Sequence, residues 1–298
     1  MTERIIDLAE GPARLSVQNA CLLIRSGERL DYTVPLGEVG VLVVSNPCVT
    51  FTHAVLSGLA QAGASMVVCD SKHMPAAMLL PLEGHFAQGE RFALQAQISL
   101  PTRKRLWKSV VQAKIRAQGR LLAELRGFDA GLSRLAAEVR SGDSGNHEAE
   151  ASRRYWPVLF DDKEFRRDRY ALDQNRLLNY GYAVVRAIVA RGVCAAGLHP
   201  SLGLHHHNRY DAFRLVDDLM EPFRPLVDRA VVLYCEKHGT SAPLGKRAKA
   251  FLVGSLMERF SFQKKSRTLF DIAARTAASL AAILFNKRKN LLLPDLFD

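Results

Sequence analysis

The amino-acid sequence predicts an α+β protein in which a small N-terminal β-rich domain, residues 1–85, precedes a large, all-helical domain, residues 86–298. Two observations support this prediction. Near residue 85 the apolar pattern changes from short separate runs to a period of about 3.6 residues. At the same place the charge changes sign, because residues 1–85 hold five Lys and Arg against eight Asp and Glu, whereas residues 86–298 hold 36 against 22.

The first 85 residues contain short apolar runs separated by turn formers such as Ser26-Gly27 and Asn46-Pro47. One helix is predicted at Phe51–Ala62, with Thr50 as its N-cap and Gly63 at its end. The apolar runs predict strands at Arg4–Ala9, Ala13–Gln18, Ala20–Arg25, Leu30–Val34, Val39–Val44 and Ser65–Cys69.

Beyond residue 86 apolar residues recur at spacings of three and four, which predicts amphipathic helices. The first long helix carries the series Leu106, Val110, Ala113, Ala117, Leu121 and Leu125. Further helical patterns cover residues 130–140, 146–160, 173–191, 211–237, 243–260 and 265–286.

Composition limits the class of protein. The chain is 48% hydrophobic and 24% charged, which is typical of folded globular proteins. No apolar run reaches the roughly 18 residues that a membrane span needs, and the first residues do not resemble a signal peptide. The five cysteines are scattered and form no C-x-x-C pair, which argues against a disulfide framework and a zinc site. We expect a reduced, cytoplasmic protein with no membrane contact.

The net charge of +11 comes wholly from the helical part, and concentrated positive charge is the usual footprint of phosphate binding. An i,i+4 polar strip on the first long helix is one candidate surface for nucleic acid, although a solvated helix face is the default interpretation of such a strip. The candidate DNA-binding residues are Lys104, Lys108, Arg116, Arg120, Arg153, Arg154, Lys246, Arg247, Lys264 and Lys265.

Glu148 lies in a segment that ends one helix and begins another, Gly142–Trp156. The Gly, Asp and Ser residues at its start place Glu148 in the first turn of the new helix. A favourable interaction with the helix dipole would by itself explain an acid there. However, Ala151 and Ser152 share its helix face and leave room for a phosphate or another element.

A second segment combines three histidines, His205, His206 and His207, with the acids Asp218 and Glu221. The two acids are three residues apart on a predicted helix, so they point the same way, and Pro222 ends or kinks that helix. Imidazole and carboxylate ligands without cysteine favour Mg²⁺ or Mn²⁺ over Zn²⁺. A polar loop beside an ordinary acidic helix is the alternative.

These segments resemble the integrase family of CRISPR adaptation, the larger of the two universal proteins of spacer acquisition. Asn146–Trp156 is similar to the family's glutamate motif. Gly197–His206, followed by Asp218–Pro225, resembles its second motif, and Leu172–Tyr182 resembles the helix between them. The triple histidine resembles the type II branch, which accompanies single-protein, RNA-guided nucleases.

The resemblance implies a DNA endonuclease and integrase that joins a protospacer 3′-hydroxyl to a phosphodiester of the CRISPR repeat or leader. It also implies a Mg²⁺ or Mn²⁺ ion held by Glu148, His206 and Glu221, with Asp218 and His205 as second choices. A nearby histidine, His205 or His207, would act as a proton shuttle for the attacking group. The implied partners are double-stranded DNA, a second copy of the chain in a homodimer, and a small adaptation protein that completes a heterohexamer.

Two other classes of protein remain open at this point. One is a non-catalytic, basic nucleic-acid-binding protein in which the histidines and acids are structural. The other is a metal hydrolase of a small phosphorylated metabolite, whose turnover would depend little on salt.

Overall fold

A computed structural model describes residues 3–27, 31–70, 75–168 and 170–297. Its first part consists of two four-stranded sheets and one helix, α1 (His53–Gln61). The strands are β1 (Arg4–Leu8), β2 (Arg14–Gln18), β3 (Cys21–Arg25), β4 (Tyr32–Pro35), β5 (Val39–Val44), β6 (Thr50–Phe51), β7 (Ser65–Cys69) and β8 (Pro75–Leu79). The β-rich prediction is confirmed, and β6 and β8 are additions to it. Leu30, at the start of one predicted strand, lies outside the described residues.

The two sheets have different topologies. The first has the order β1-β5-β7-β8, in which β5 runs parallel to both β1 and β7, while β8 is antiparallel to β7. The second has the order β4-β3-β2-β6, with antiparallel pairs except for the parallel pair of β2 and β6. Leu15, Leu22, Leu42, Leu59 and Met66 form part of the core that joins the two sheets and α1.

Strand β5 is buried along its whole length because its two faces enter two different cores. Leu42 and Val44 pack in the core of the N-terminal sheets, whereas Val41 and Val43 pack in the helical core. Successive strand residues point to opposite faces, so a continuous apolar run suits a strand covered on both sides. The first sheet is therefore packed directly onto the helical part.

Helix α1 begins two residues later than predicted. Its N-cap is Thr52, whose side chain makes no capping hydrogen bond, so Thr50 as a cap was wrong. Thr50 lies in β6, where it pairs with Arg14 of β2. Gly63, just beyond the C-terminus of the helix, has φ +70°, a conformation that glycine adopts without steric cost.

Nine helices follow the sheets within the described residues. They are α2 (Gln88–Ala96), α3 (Leu100–Arg126), α4 (Leu132–Glu138), α5 (His147–Leu159), α6 (Asn175–Ala195), α7 (Arg214–Met220), α8 (Arg224–His238), α9 (Lys246–Leu256) and α10 (Leu269–Leu284). The predicted break at Pro222 is confirmed, since a 3₁₀ turn, Glu221–Phe223, separates α7 from α8. In the part of the chain that the structure describes, every helix is too short or too polar to cross a bilayer.

The all-helical prediction for residues 86–298 was wrong at one hairpin. Strands β9 (Arg259–Phe262) and β10 (Lys265–Thr268) pair antiparallel, and both residues of the connecting loop, Gln263 and Lys264, have positive φ. Two-residue loops of this kind suit the twist of a hairpin. The alternation of Phe260 and Phe262 has a strand period, although apolar residues on either side suggest helix.

Candidate active site

Glu148 is held at the first turn of α5 by an aspartate five residues before it. Oδ1 of Asp143 accepts from the backbone N–H of His147 at 2.9 Å, and Oδ2 accepts from that of Glu148 at 3.0 Å. The first N–H groups of a helix have no partner within the helix, so this carboxylate caps it. The predicted position of Glu148 is confirmed, and Asp143 is a capping residue that sequence reasoning did not single out.

Glu148 and Glu221 are brought together by Lys114 of α3. The Lys114 Nζ lies 2.6 Å from Glu148 Oε1 and 2.6 Å from Glu221 Oε2. It donates a hydrogen bond to Glu148. The contact to Glu221 is an ion pair without hydrogen-bond geometry, so Glu221 Oε2 is a buried oxygen with no hydrogen-bond partner among the described residues.

Two cations surround the buried carboxylate of Glu221. Arg224 Nε donates to its other oxygen, Oε1, at 2.7 Å. Burial alone would raise the pKa of Glu221, but Arg224 and Lys114 hold this pKa at about 2. Burial would likewise lower the pKa of Lys114, yet Glu221 and Glu148 raise it. Lys114 and Arg224 therefore keep Glu221 negatively charged near neutral pH although it is buried.

Asp218 organises the histidine loop. Its Oδ2 accepts from the backbone N–H groups of Leu204 and His205, at 2.5 and 3.0 Å. Its Oδ1 accepts from the backbone N–H of His206 at 3.2 Å and lies 2.6 Å from that residue's Nδ1. A carboxylate has about four lone-pair positions, and all are used here. Asp218 was predicted as a second-choice metal ligand, but these hydrogen bonds leave neither of its oxygens free for an ion among the described residues.

The three histidines occupy different environments. His206 is half-buried, and because a carboxylate only accepts, its Nδ1–H donates to Asp218 and leaves Nε2 for another ligand. The hydrogen bond to Asp218 raises the pKa of His206, whereas burial lowers the pKa of His205. His205 stacks on Trp107 with ring centroids 4.4 Å apart, and His207 is exposed.

Helix α3 supports both halves of the site. Trp107 contacts the rings of His205 and His206, and Lys114 contacts the two glutamates. These α3 residues are seven apart, so they lie on one face about 10 Å apart along the axis. The sequence signal for Lys114 is its place beside Val110 and Val111 on a buried face, where an unpaired lysine is rare.

Gln95 of α2 holds the other end of the histidine loop. Its Nε2 donates to the carbonyls of His199 and Leu202 at 2.9 and 2.8 Å, and its Oε1 accepts from the His199 N–H. Gly203 is required by space, because a Cβ there would lie 2.9 Å from Asp218 Oδ2. Sequence reasoning did not single out Gln95, since a lone glutamine on a short helix carries no pattern.

A cavity of about 620 Å³ opens beside the glutamate cluster, with Lys114 and Glu221 in its wall. Arg167 is positioned there by α6, since its Nη atoms donate to Asn175 and Asn179 Oδ1 at 2.7 and 2.5 Å. Further cationic residues line the same cavity: Arg153, Lys163, Arg166 and Arg224. This concentration of cations suits a phosphate-bearing ligand.

Among the predicted DNA-binding residues, Arg153 lines this cavity. Arg154 pairs with Glu150, Arg120 with Asp295, and Lys246 with Glu10. Lys108 is partly buried, while the remaining candidates are exposed on the surface away from the cavity wall: Lys104, Arg116, Arg247, Lys264 and Lys265.

The donor set suits a hard divalent cation, although a complete ligand shell is not formed. Within residues 3–27, 31–70, 75–168 and 170–297, no three side chains of the metal-binding types converge closely enough to hold an ion. However, the two glutamate oxygens meet at one positive charge, and Glu221 Oε2 lacks a hydrogen bond. Carboxylate oxygens and an imidazole nitrogen are suitable ligands for Mg²⁺ or Mn²⁺.

Comparison with known proteins places this chain in a family. The model of the family described as CRISPR associated protein Cas1 matches residues 8–243. The chain is 37% identical to the CRISPR-associated endonuclease Cas1 of Neisseria meningitidis serogroup C over 301 aligned residues, which cover 99% of this chain and 97% of that protein.

Solved structures share the fold. A casposase bound to its integration product has a TM-score of 0.77 at 20% identity, with 98% of this chain and 92% of that chain covered. A chain of a Cas6-RT-Cas1–Cas2 complex has a TM-score of 0.76 at 17% identity, with 98% and 36% covered. The family match and the relative at 37% identity show that this chain belongs to the Cas1 family of CRISPR-associated proteins.

Proposed function

We propose that the protein is a metal-dependent DNA endonuclease and integrase of CRISPR spacer acquisition. The observation that carries this proposal is the convergence of Glu148 and Glu221, from two separate sequence segments, on one positive charge beside a basic cavity. The name of the Neisseria relative, a CRISPR-associated endonuclease, supports the same activity.

We propose Mg²⁺ or Mn²⁺ as the cofactor, with Glu148, Glu221 and Nε2 of His206 as its ligands. The charge of Glu221 is among the causes that raise the pKa of His206, so the two are electrostatic neighbours. Asp218 fixes the ring of His206 as a second carboxylate often does behind a ligand histidine. Such an ion, when bound, polarises a scissile phosphate and makes a hydroxyl or a water more acidic.

The cavity residues would bind the DNA strand. Arg167, held by two asparagines, offers its guanidinium next to Arg153 and Lys163, and these cations would contact backbone phosphates. Phosphate contacts position a strand without reading its sequence. With the phosphodiester beside Glu148 and Glu221, attack of a 3′-hydroxyl on phosphorus would form a new phosphodiester and break the bond to the 3′-oxygen of the target strand, which leaves as a 3′-hydroxyl, and this gives integration. Attack by water would break the same bond and give hydrolysis.

We also propose that the protein acts as a homodimer within a heterohexamer that contains the small adaptation protein Cas2. A structural neighbour forms a complex with Cas2, which supports this partner. The relative from Neisseria, similar along the whole chain, supports the type II branch. The DNA partners would be the protospacer and the repeat or leader of the array.

The test is strand transfer of a short duplex into a supercoiled plasmid that carries a repeat array, with Mn²⁺ or Mg²⁺. The wild-type protein should join the duplex, and Glu148→Gln should leave only background joining. Equal joining by both proteins would contradict the proposed site. DNA binding without joining, unaffected by Glu148→Gln, would favour the non-catalytic protein, and hydrolysis of small phosphate esters that is insensitive to salt would favour the metabolite hydrolase.

A further inference from the structure

The Lys114 ammonium occupies the point at which the two glutamate side chains meet. It lies 2.6 Å from an oxygen of each, and its side chain is 11% exposed. Because a buried charge needs compensation, this contact keeps the two carboxylates close together without repulsion. A divalent ion that uses both carboxylates needs the same oxygens, so the ion and the ammonium compete.

The charges around the cluster make this competition necessary. Glu148 and Glu221 supply two negative charges, and Lys114 and Arg224 already supply two positive ones. Adding a divalent cation would leave an excess of positive charge at a buried position, which is costly. Arg224 also stacks on the ring of Tyr182, whereas Lys114 makes its two charged contacts from a flexible four-carbon stem. Lys114 is therefore the cation that can leave.

The cavity supplies a place for the displaced ammonium. Lys114 lines its wall together with Gln118, whose buried Oε1 has no hydrogen-bond partner among the described residues. A phosphodiester in the cavity would offer the ammonium a new anionic partner. The nucleic acid would thus lower the cost of moving Lys114 away from the glutamates.

We propose that Lys114 is an internal counter-cation that holds Glu148 and Glu221 in the metal-free protein and transfers to a DNA phosphate when the divalent ion binds. The inference rests on the proposed function, because it takes the two glutamates as metal ligands. It makes metal binding and DNA binding mutually dependent, since each relieves a cost of the other. A protein of this design binds the metal ion more weakly when DNA is absent.

The experiment is a titration of Mn²⁺ followed by the electron paramagnetic resonance signal of the free ion, with and without a short DNA duplex. Without DNA, Lys114→Met should bind Mn²⁺ at least about fivefold more tightly than the wild-type protein, the lower end of usual coupling between ligands. DNA should tighten Mn²⁺ binding to the wild-type protein and have a smaller effect on Lys114→Met. Lys237→Met, which changes an exposed lysine in the last turn of α8, should behave as the wild type with and without DNA.

A second measurement needs no variant. Lysine acylation followed by mass spectrometry should show more labelling of Lys114 in the wild-type protein when Mn²⁺ is added without DNA. If the wild-type protein binds Mn²⁺ but neither Lys114 labelling nor the affinity of folded Lys114→Met changes, the inference is wrong and the metal site stands. If the wild-type protein binds no Mn²⁺ even with DNA, the proposed metal-dependent function fails, and the inference fails with it.

Discussion

Two carboxylate clusters lie along one face of α5, and the negative charges of their carboxylates are stabilised in different ways. At its start, Glu148 and Glu221 share the ammonium of Lys114. Two turns later, Tyr155 donates a hydrogen bond to Asp228 Oδ2 at 2.8 Å, and Tyr182 donates to Oδ1. The first cluster is compensated by the positive charges of Lys114 and Arg224, whereas in the second two neutral hydroxyls donate to the carboxylate.

The pKa values follow from this difference. Burial raises the pKa of Asp228 to about 6 despite its two hydroxyl donors, whereas Arg224 and Lys114 hold the pKa of Glu221 at about 2 against burial. Glu221 therefore keeps its negative charge down to about pH 2, whereas Asp228 takes up a proton as the pH falls through about 6. The comparison agrees with the proposal that the first cluster carries the chemistry, while the hydrogen bonds of the second connect α5, α6 and α8.

The largest effect is expected from the glutamates. Glu148→Gln or Glu221→Gln should lower strand transfer by about a thousandfold, because each removes a charged ligand of the proposed ion that would stabilise the reacting phosphate. The matched control is Glu150→Gln on the same helix, whose carboxylate pairs with Arg154 at the surface. Strand transfer in the presence of Mn²⁺ is the measurement. A similar loss in Glu150→Gln would contradict a special role for Glu148 and Glu221.

A smaller loss is expected at the aspartate behind His206. Asp218→Asn should lower Mn²⁺ affinity or strand transfer by about 10- to 100-fold, the usual effect of removing a carboxylate behind a ligand histidine. Asp217→Asn is the control, because Asp217 pairs with Arg186 instead of the loop. Calorimetric titration with Mn²⁺ measures the effect. An unchanged Mn²⁺ affinity in Asp218→Asn would show that the histidine loop does not contribute to metal binding.

The second cluster should affect stability more than chemistry. Tyr155→Phe removes a buried hydroxyl that donates to a carboxylate, and the free energy of unfolding should fall by about 1.5–3 kcal/mol. Urea denaturation measures this change. Tyr170→Phe is the control because its side chain is largely exposed, and it should have no measurable effect. Equal stability of the two variants would contradict a structural role for the Asp228 cluster.

The smallest effect is a pH dependence. Asp228 has a pKa of about 6 in the folded protein against an ordinary value of 3.8, so the folded state binds its proton more tightly than the unfolded state. Its contribution to stability is therefore greatest at low pH and falls as pH rises through about 6. Relative to Asp228→Asn, the wild-type protein should lose about 1 kcal/mol of unfolding free energy between about pH 5 and pH 7. If the unfolding free energy of the wild-type protein instead rose relative to that of Asp228→Asn as the pH increased, the raised pKa of Asp228 would be contradicted.

Local sequence patterns were sufficient to predict several parts of the structure. The series from Leu106 to Leu125 predicted the central part of α3, and the cluster of Gly, Asp and Ser residues placed Glu148 in the first turn of α5. Pro222 predicted the break between α7 and α8. These features depend on backbone propensity and helical period, which neighbouring residues along the chain determine.

The sequence did not predict the parts that depend on distant contacts. The β9–β10 hairpin was assigned to helices because the short alternation around Phe260 and Phe262 is surrounded by helical periodicity. Lys114 was overlooked because its two glutamate partners lie 34 and 107 residues further along the chain. Gln95 was overlooked for the same reason, since it contacts a loop 104 to 107 residues away.

By itself, the sequence determined the α+β class, the basic helical part and the two segments that resemble the CRISPR adaptation family. Only the tertiary structure decided that Asp218 holds the histidine loop, that His205 stacks on Trp107, and that one lysine joins two glutamates. The physical reason is that periodicity reports which face of an element is apolar. The partner of a buried charge is set by how α3, α5 and the α7–α8 turn pack against one another.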